Sequence, residues 1–293
     1  MNPHLHPLRA ALWMLAAVAT FSLMDAAMKL LSAHYPPMQV ATLRGAASLP
    51  FVLGWVLASA GLRSIVPVRW SLHLLRAALG VAMIACFSFA LKRLPMSTAY
   101  TIFFVSPMLV AALSVLLLGE RVGPRRWIAI AVGLAGVAVV LRPGANGTFS
   151  LAAAMVLVSA LAYALASVLV RLQTRTDTSQ AMVVWFLALL ALGAGVLAAP
   201  GWVALRVQDM WLVAGMGLAG ALGQVALTRA FQLGEASMVA PLEYTGLLWV
   251  ATWDWLFWKT LPAASVWVGA AVIIASGVYL LRRERAHSEA EHP

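Results

Sequence analysis

Charge is scarce in this sequence. Only 10% of its 293 residues are Asp, Glu, Lys or Arg, while 63% are hydrophobic. A soluble domain carries roughly 25% charged residues, so this chain cannot cover a water-facing surface of its size. That excludes the soluble class. The single cysteine, Cys86, lies in an apolar run; it rules out an internal disulfide and reads as a small buried hydrophobe. No Gly-x-x-x-x-Gly-Lys-Ser/Thr loop is present, which argues against an ATP-driven pump within the chain. No His-Glu-x-x-His occurs, and His73 is the sole histidine near an apolar run, which argues against a zinc site or a serine/histidine intramembrane protease. Asp25 and Asp254 belong to no recognisable aspartyl motif. No enzyme, metal or cofactor is expected.

What is abundant is apolar length. A helix of about 20 residues crosses a roughly 30 Å hydrocarbon core. Apolar runs bounded by Pro, Gly, Arg or Asp predict an all-α membrane protein with ten transmembrane helices. They fall near 10–31, 38–60, 70–91, 96–118, 125–141, 150–171, 179–199, 210–231, 236–258 and 263–281. The run after Arg9 imitates a signal peptide but is read as the first span. So many spans leave no room for a folded extramembrane domain. The net charge of +10 sits at helix ends with no interleaved aromatics, so nucleic acid is not an expected partner. With the N-terminus inside, inner segments hold 13 Lys and Arg against 6 outside. The positive-inside rule then places both termini in the cytoplasm, in the cell's inner membrane.

Residues 89–142 and 228–281 align without a gap at an offset of 139. Five spans per half is odd, so the second half enters the membrane from the opposite side. This is the inverted repeat of secondary transporters, whose site lies near the midplane between the repeats. The expected units are residues 8–142, residues 150–283 and a cytoplasmic tail at 284–293.

Several stretches carry a resemblance. They are Phe21-Ser22-Leu23-Met24-Asp25 with Lys29, then Arg44, Ser106-Pro107 through Leu118-Gly119-Glu120-Arg121, and Ala240-Pro241-Leu242-Glu243-Tyr244-Thr245. Together these make the chain similar to the drug/metabolite transporter superfamily, specifically its ten-helix members built from two EamA domains. The resemblance implies transport of small organic solutes, often outward. Where the family repeats Gly-Glu at the end of the ninth span, this chain reads Trp258-Lys259.

Ionisable groups within a span cost roughly 2.5–3.5 kcal/mol each on insertion scales, which makes each a functional candidate. Five stand out: Asp25, Lys29, Arg44, Glu243 and Asp254. Lys29 and Asp254 lie near the outer boundary, where snorkelling or solvation is the plain alternative. Asp25 and Arg44 both lie roughly 9 Å below that boundary. They are expected to form a direct or one-water ion pair, a gate or a packing pin, with Lys29 as a competing partner. Glu243 is expected as the substrate or proton contact, with Gln224 at its depth. Tyr100, Phe104, Tyr163, Trp185, Tyr244 and Trp249 are the ring candidates for a cavity that stacks a planar or amphipathic solute. Lipid-facing or core packing is the plain alternative for each ring. Trp55, Trp70, Trp127, Trp202, Trp211 and Trp267 read as interface belts. Pro107 and Pro241 are the candidate flex points. The expected function is a secondary transporter, exporter or exchanger, working by alternating access. Its solute would be an amino acid, nucleoside-like compound, vitamin or xenobiotic, its other partner the lipid bilayer, and its working state a monomer. The alternative is a membrane-embedded structural or partner-binding subunit without its own flux.

Overall fold

The computed structural model of the chain describes residues 7–66, 69–118, 150–173, 176–233 and 240–262, with scattered positions at 128–135 and 264–275. Every regular element among the described residues is helical, and none is a strand. Six helices are long and apolar enough to cross a membrane. They are α1 (Pro7–Leu31), α2 (Pro37–Ser59), α3 (Trp70–Leu91), α6 (Leu151–Gln173), α7 (Ser179–Ala198) and α8 (Met210–Leu233). Three shorter helices are α4 (Met96–Phe103), α5 (Ser106–Leu118) and α9 (Gly246–Trp258). The expected spans near 125–141 and 263–281 lie largely outside the described residues.

Punctuation in the sequence sets the helix ends. Pro37 opens α2 at a position whose N–H has no intrahelical partner in any case. The Thr178 hydroxyl caps α7 by accepting from the Ala181 amide at 3.1 Å. Gly61 closes the turn after α2 at φ 70°, a left-handed conformation that glycine takes without strain. Large apolar side chains such as Leu57, Leu116, Leu192 and Val196 point outward, as a lipid solvent permits.

Helices of the first half pack chiefly on those of the second. α1 lies against α8, α2 against α7 and α8, α3 against α6 and α7, and α5 against α6. Small residues set the closest approach at some positions and not at others. Gly215 meets nothing within 4 Å, whereas a Cβ at Gly217 would sit 2.4 Å from the Ala47 carbonyl on α2. The Ser48 hydroxyl donates across the same contact to the Gly217 carbonyl at 2.9 Å.

Loops gather at the two ends of the bundle. At one end, the Tyr35 hydroxyl donates to Asp209 at 2.6 Å and accepts from the Arg206 amide at 3.1 Å. Gln39 exchanges two hydrogen bonds with the Val203 backbone beside it. At the other end, Thr178 donates to the Ser64 carbonyl, and the Trp185 indole donates to the Ile65 carbonyl at 2.6 Å.

Candidate functional site

Two expected spans are interrupted, and the interruptions meet. The run over 96–118 is α4, a turn at Phe104–Val105, and then α5, with Pro107 as its second residue. Proline there fits the first turn of a new helix. In the second half, residues Ala240–Thr245 form a 3-10 turn carrying Pro241, Glu243 and Tyr244 before α9 begins. The helices that follow the two turns, α5 and α9, each have 13 residues. The Phe104 and Tyr244 rings pack edge to face across the two breaks, with centroids 5.3 Å apart.

Carboxylates flank this meeting point. Asp25 on α1 is 8% exposed and accepts a hydrogen bond from the Tyr100 hydroxyl on α4. Arg44 on α2 is equally buried and interacts electrostatically with Asp25 and Tyr100. The two charges form no N–O contact within 4.0 Å, so the direct ion pair expected from depth is absent. Equal depth fixes height along the bundle but not which way a side chain turns, and Asp25 turns to Tyr100. Lys29 does not compete for it, being committed elsewhere. Glu243 accepts from the Tyr163 hydroxyl of α6 at 3.3 Å. Gln224 is buried on α8, but its side chain makes no hydrogen bond to Glu243. Depth counting assumed 1.5 Å per residue, and a 3-10 turn rises about 2.0 Å.

Rings connect the two carboxylates. Tyr100 packs on Phe104 at 6.1 Å and on Phe87 at 5.7 Å. Phe87 reaches Phe103 at 5.5 Å, and Phe103 reaches Tyr163 at 5.4 Å. The short helix α4 thus presents Tyr100 toward Asp25 and Phe103 toward the tyrosine that holds Glu243. Phe87 was not among the sequence candidates; an apolar run in α3 offers no signal to single it out.

Other candidates lie apart from this cluster. Asp254, with no exposure, accepts from the Met96 amide at 3.0 Å, the Ser97 amide at 2.7 Å and the Lys29 ammonium at 3.1 Å. Lys29 also stands 4.1 Å above the Trp258 ring. This pair clasps the start of α4 rather than facing the rings. Trp185 is at the loop end, held by Ile65 and by Trp70 at 4.7 Å, because its indole needs a buried acceptor. Trp249 is 41% exposed on the outside of α9, as a lipid-facing ring would be.

A further polar group was missed. His73 contacts Asp177 at 2.7 Å with both side chains fully buried. Arg76 donates to Gln173 at 3.3 Å and to the Met182 carbonyl at 3.1 Å. The three-residue spacing of His73 and Arg76 on one apolar helix was the available signal. Among the described residues no group of three or more His, Cys, Asp or Glu comes together.

Comparisons with known proteins bear on this geometry. The model of the EamA-like transporter family matches residues 8–142 and 150–283. The chain is 31% identical to a riboflavin transporter of Vibrio cholerae over 98% of its own length and 97% of that protein's. It is 32% identical to the pseudopaline exporter CntI of Pseudomonas aeruginosa, covering 91% of this chain and 93% of that one. An S-adenosylmethionine uptake transporter of Rickettsia prowazekii is 23% identical, with 96% and 95% covered. A crystal structure at 18% identity superposes with a TM-score of 0.70 over 94% of this chain and 98% of that one, which speaks to the fold alone.

Proposed function

The chain belongs to the EamA-like transporter family, and on that premise we propose that it is a secondary transporter, an exporter or exchanger, moving a small organic metabolite by alternating access. In this reading ten helices form two inverted repeats, residues 8–142 and 150–283, with both termini on the cytoplasmic side of the inner membrane. The observation that carries it is the meeting, at Phe104 and Tyr244, of the turn between α4 and α5 with the 3-10 turn before α9, between Asp25 and Glu243. Interrupted helices at a repeat interface expose backbone groups and dipole ends to a solute. In this reading the rings of Tyr100, Phe104 and Tyr244, packed together in the core here, become the wall that stacks a planar group when the bundle opens. A flavin or an adenine ring, as in riboflavin or S-adenosylmethionine, has the shape for that wall. Pro107 and Pro241 sit at the two breaks, where the halves would bend as bundles rock.

Reconstitution of the purified chain into liposomes tests this. Saturable movement of riboflavin across the vesicle wall is expected. A chain that moves neither riboflavin nor S-adenosylmethionine and copurifies with a second membrane protein would replace the reading with that of a partner-binding subunit. Glu243 is the proposed substrate or proton contact. Changing Glu243→Gln should lower flux at least about tenfold, a loss of roughly 1.4 kcal/mol in transition-state stabilisation. Full flux with an unchanged pH profile would exclude the proton role.

A further inference from the structure

One groove on the bundle is lined by none of the candidate site's rings or carboxylates. It has a volume of about 340 Å³ and lies at the end where the loop after α1 packs on residues 203–209. Met38 at the start of α2, Cys86 and Phe89 near the end of α3, Met155 early in α6 and Leu197 near the end of α7 line it. Its walls therefore come from both halves. That volume falls within the roughly 300–1,000 Å³ of small-ligand sites, but the lining is almost wholly apolar. Such a lining gives a water-borne solute no oriented polar contact, and Leu197, 58% exposed, faces outward into hydrocarbon. Charge stands at one edge. The Arg93 guanidinium lies 3.8 Å from the centre of the Phe89 ring, and one of its N–H groups donates to the Phe89 carbonyl at 3.2 Å. Lys92 and Arg93 are both exposed, and neither makes an ion pair among the described residues. Partial burial and the Arg93 charge hold the Lys92 pKa below its ordinary value, so the two cations crowd one another. The proposed orientation puts them outside, where an adjacent basic pair runs against the charge bias of the chain.

An aqueous anion would meet the two cations without using the groove. A zwitterionic lipid would fill the groove but bring its own ammonium to a basic edge. An anionic phospholipid uses both features. We propose that this groove binds an anionic phospholipid, with one acyl chain along Phe89, Cys86 and Leu197 and its phosphate on Arg93 and Lys92. A guanidinium meets phosphate oxygens through two parallel N–H bonds, which suits Arg93 to the head group. Basic side chains at a membrane surface attract anionic lipids, and burial of methylenes holds the chain. Because the walls come from both halves, a bound chain adds contacts across their junction. The site goes beyond the transporter reading and does not depend on it.

The purified full chain in dodecyl maltoside micelles receives dioleoyl phosphatidylglycerol, dioleoyl phosphatidylcholine or glycerol phosphate at equal concentration and ionic strength. Two readouts are followed: the melting temperature, and the rate at which N-phenylmaleimide labels Cys86, the single cysteine of the chain. A ligand of the native state stabilises by mass action, so phosphatidylglycerol is expected to raise the melting temperature by about 2–4 °C and the other two by less than about 1 °C. By occupying the groove it should also slow Cys86 labelling at least about threefold. The paired change Lys92→Gln with Arg93→Gln, at two exposed positions where folding tolerates substitution, should erase both effects. If that variant does not fold, the wild-type comparison of the three additives still decides. Equal effects of the two lipids would reduce the groove to ordinary lipid contact, and an equal shift from glycerol phosphate would leave only an aqueous anion site. Either result, no shift, a shift without protection of Cys86, or effects that survive the paired change would overturn the proposal. Labelling that slows with protein concentration rather than with lipid would overturn it in favour of a second copy of the chain.

Discussion

Asp254 collects three donors without any solvent exposure: the Met96 and Ser97 amides and the Lys29 ammonium. Two of these are the free N–H groups that open α4, so a carboxylate from the second half serves as its cap. Removing one partner of a buried charge pair costs about 3–5 kcal/mol, because the other is left uncompensated. Asp254→Ala should therefore lower stability by about that amount in reversible unfolding in detergent. Lys29→Met should cost less than half as much, since Asp254 keeps both amides and Lys29 is 12% exposed at the rim. Equal losses from the two changes would show that the cap contributes nothing beyond the ion pair. Tyr35 supports a second prediction, in the loop between α1 and α2. The Arg206 amide draws its pKa down, but the bond to Asp209, burial and the Asp209 charge raise it, and the balance is upward. A raised acid favours its protonated form, so the tie is fully present below pH about 10 and is lost as pH rises through the folded pKa. In a tyrosinate absorbance titration Tyr35→Phe should remove one group from the late-titrating part of the curve and leave the early part unchanged. An early-titrating Tyr35 would contradict the Asp209 contact.

At the scale of elements, the interrupted spans matter most. α4 is only eight residues long, yet it carries Tyr100, the partner of Asp25, and is pinned at its start by Asp254. The turn at Phe104–Val105 separates it from α5, and Pro107 favours a fresh helix start there. Pro107→Ala removes that preference and allows the helix to run through. Folding and melting temperature should change little, while flux in liposomes should fall about tenfold, roughly 1.4 kcal/mol at the transport barrier. Undiminished flux would mean that the break plays no part in the transport cycle. Pro107 was visible in the sequence as a flex point. Pro241 was visible in the same way, but the 3-10 form of the backbone over Ala240–Thr245 was not, because its residues read as an ordinary apolar start of the ninth span.

For the whole molecule, the halves interlock: α1, α2 and α3 each pack on helices from the second half rather than chiefly on each other. The end-loops sort accordingly, with the loop after α1 against residues 203–209 and residues 64–65 against Thr178 and Trp185. The proposed orientation puts the former outside. In a Cys86→Ser background, a cysteine at Val207, which is 85% exposed, should react with a membrane-impermeant maleimide added to intact cells. One at Leu62, 55% exposed at the opposite end, should react only after lysis. The reverse pattern would invert the topology. Much of this was legible along the chain. The ends of α2, α3 and α7 fall within a residue or two of their apolar runs, because hydropathy, length and proline act locally. Asp25, Arg44 and Glu243 were legible as costly charges for the same reason. What only the tertiary structure decided is who partners whom: Asp25 with Tyr100, Lys29 with Asp254, His73 with Asp177, Glu243 with Tyr163. A buried charge chooses its partner by direction and distance across packed helices, and those are set only when helices far apart in the chain come together.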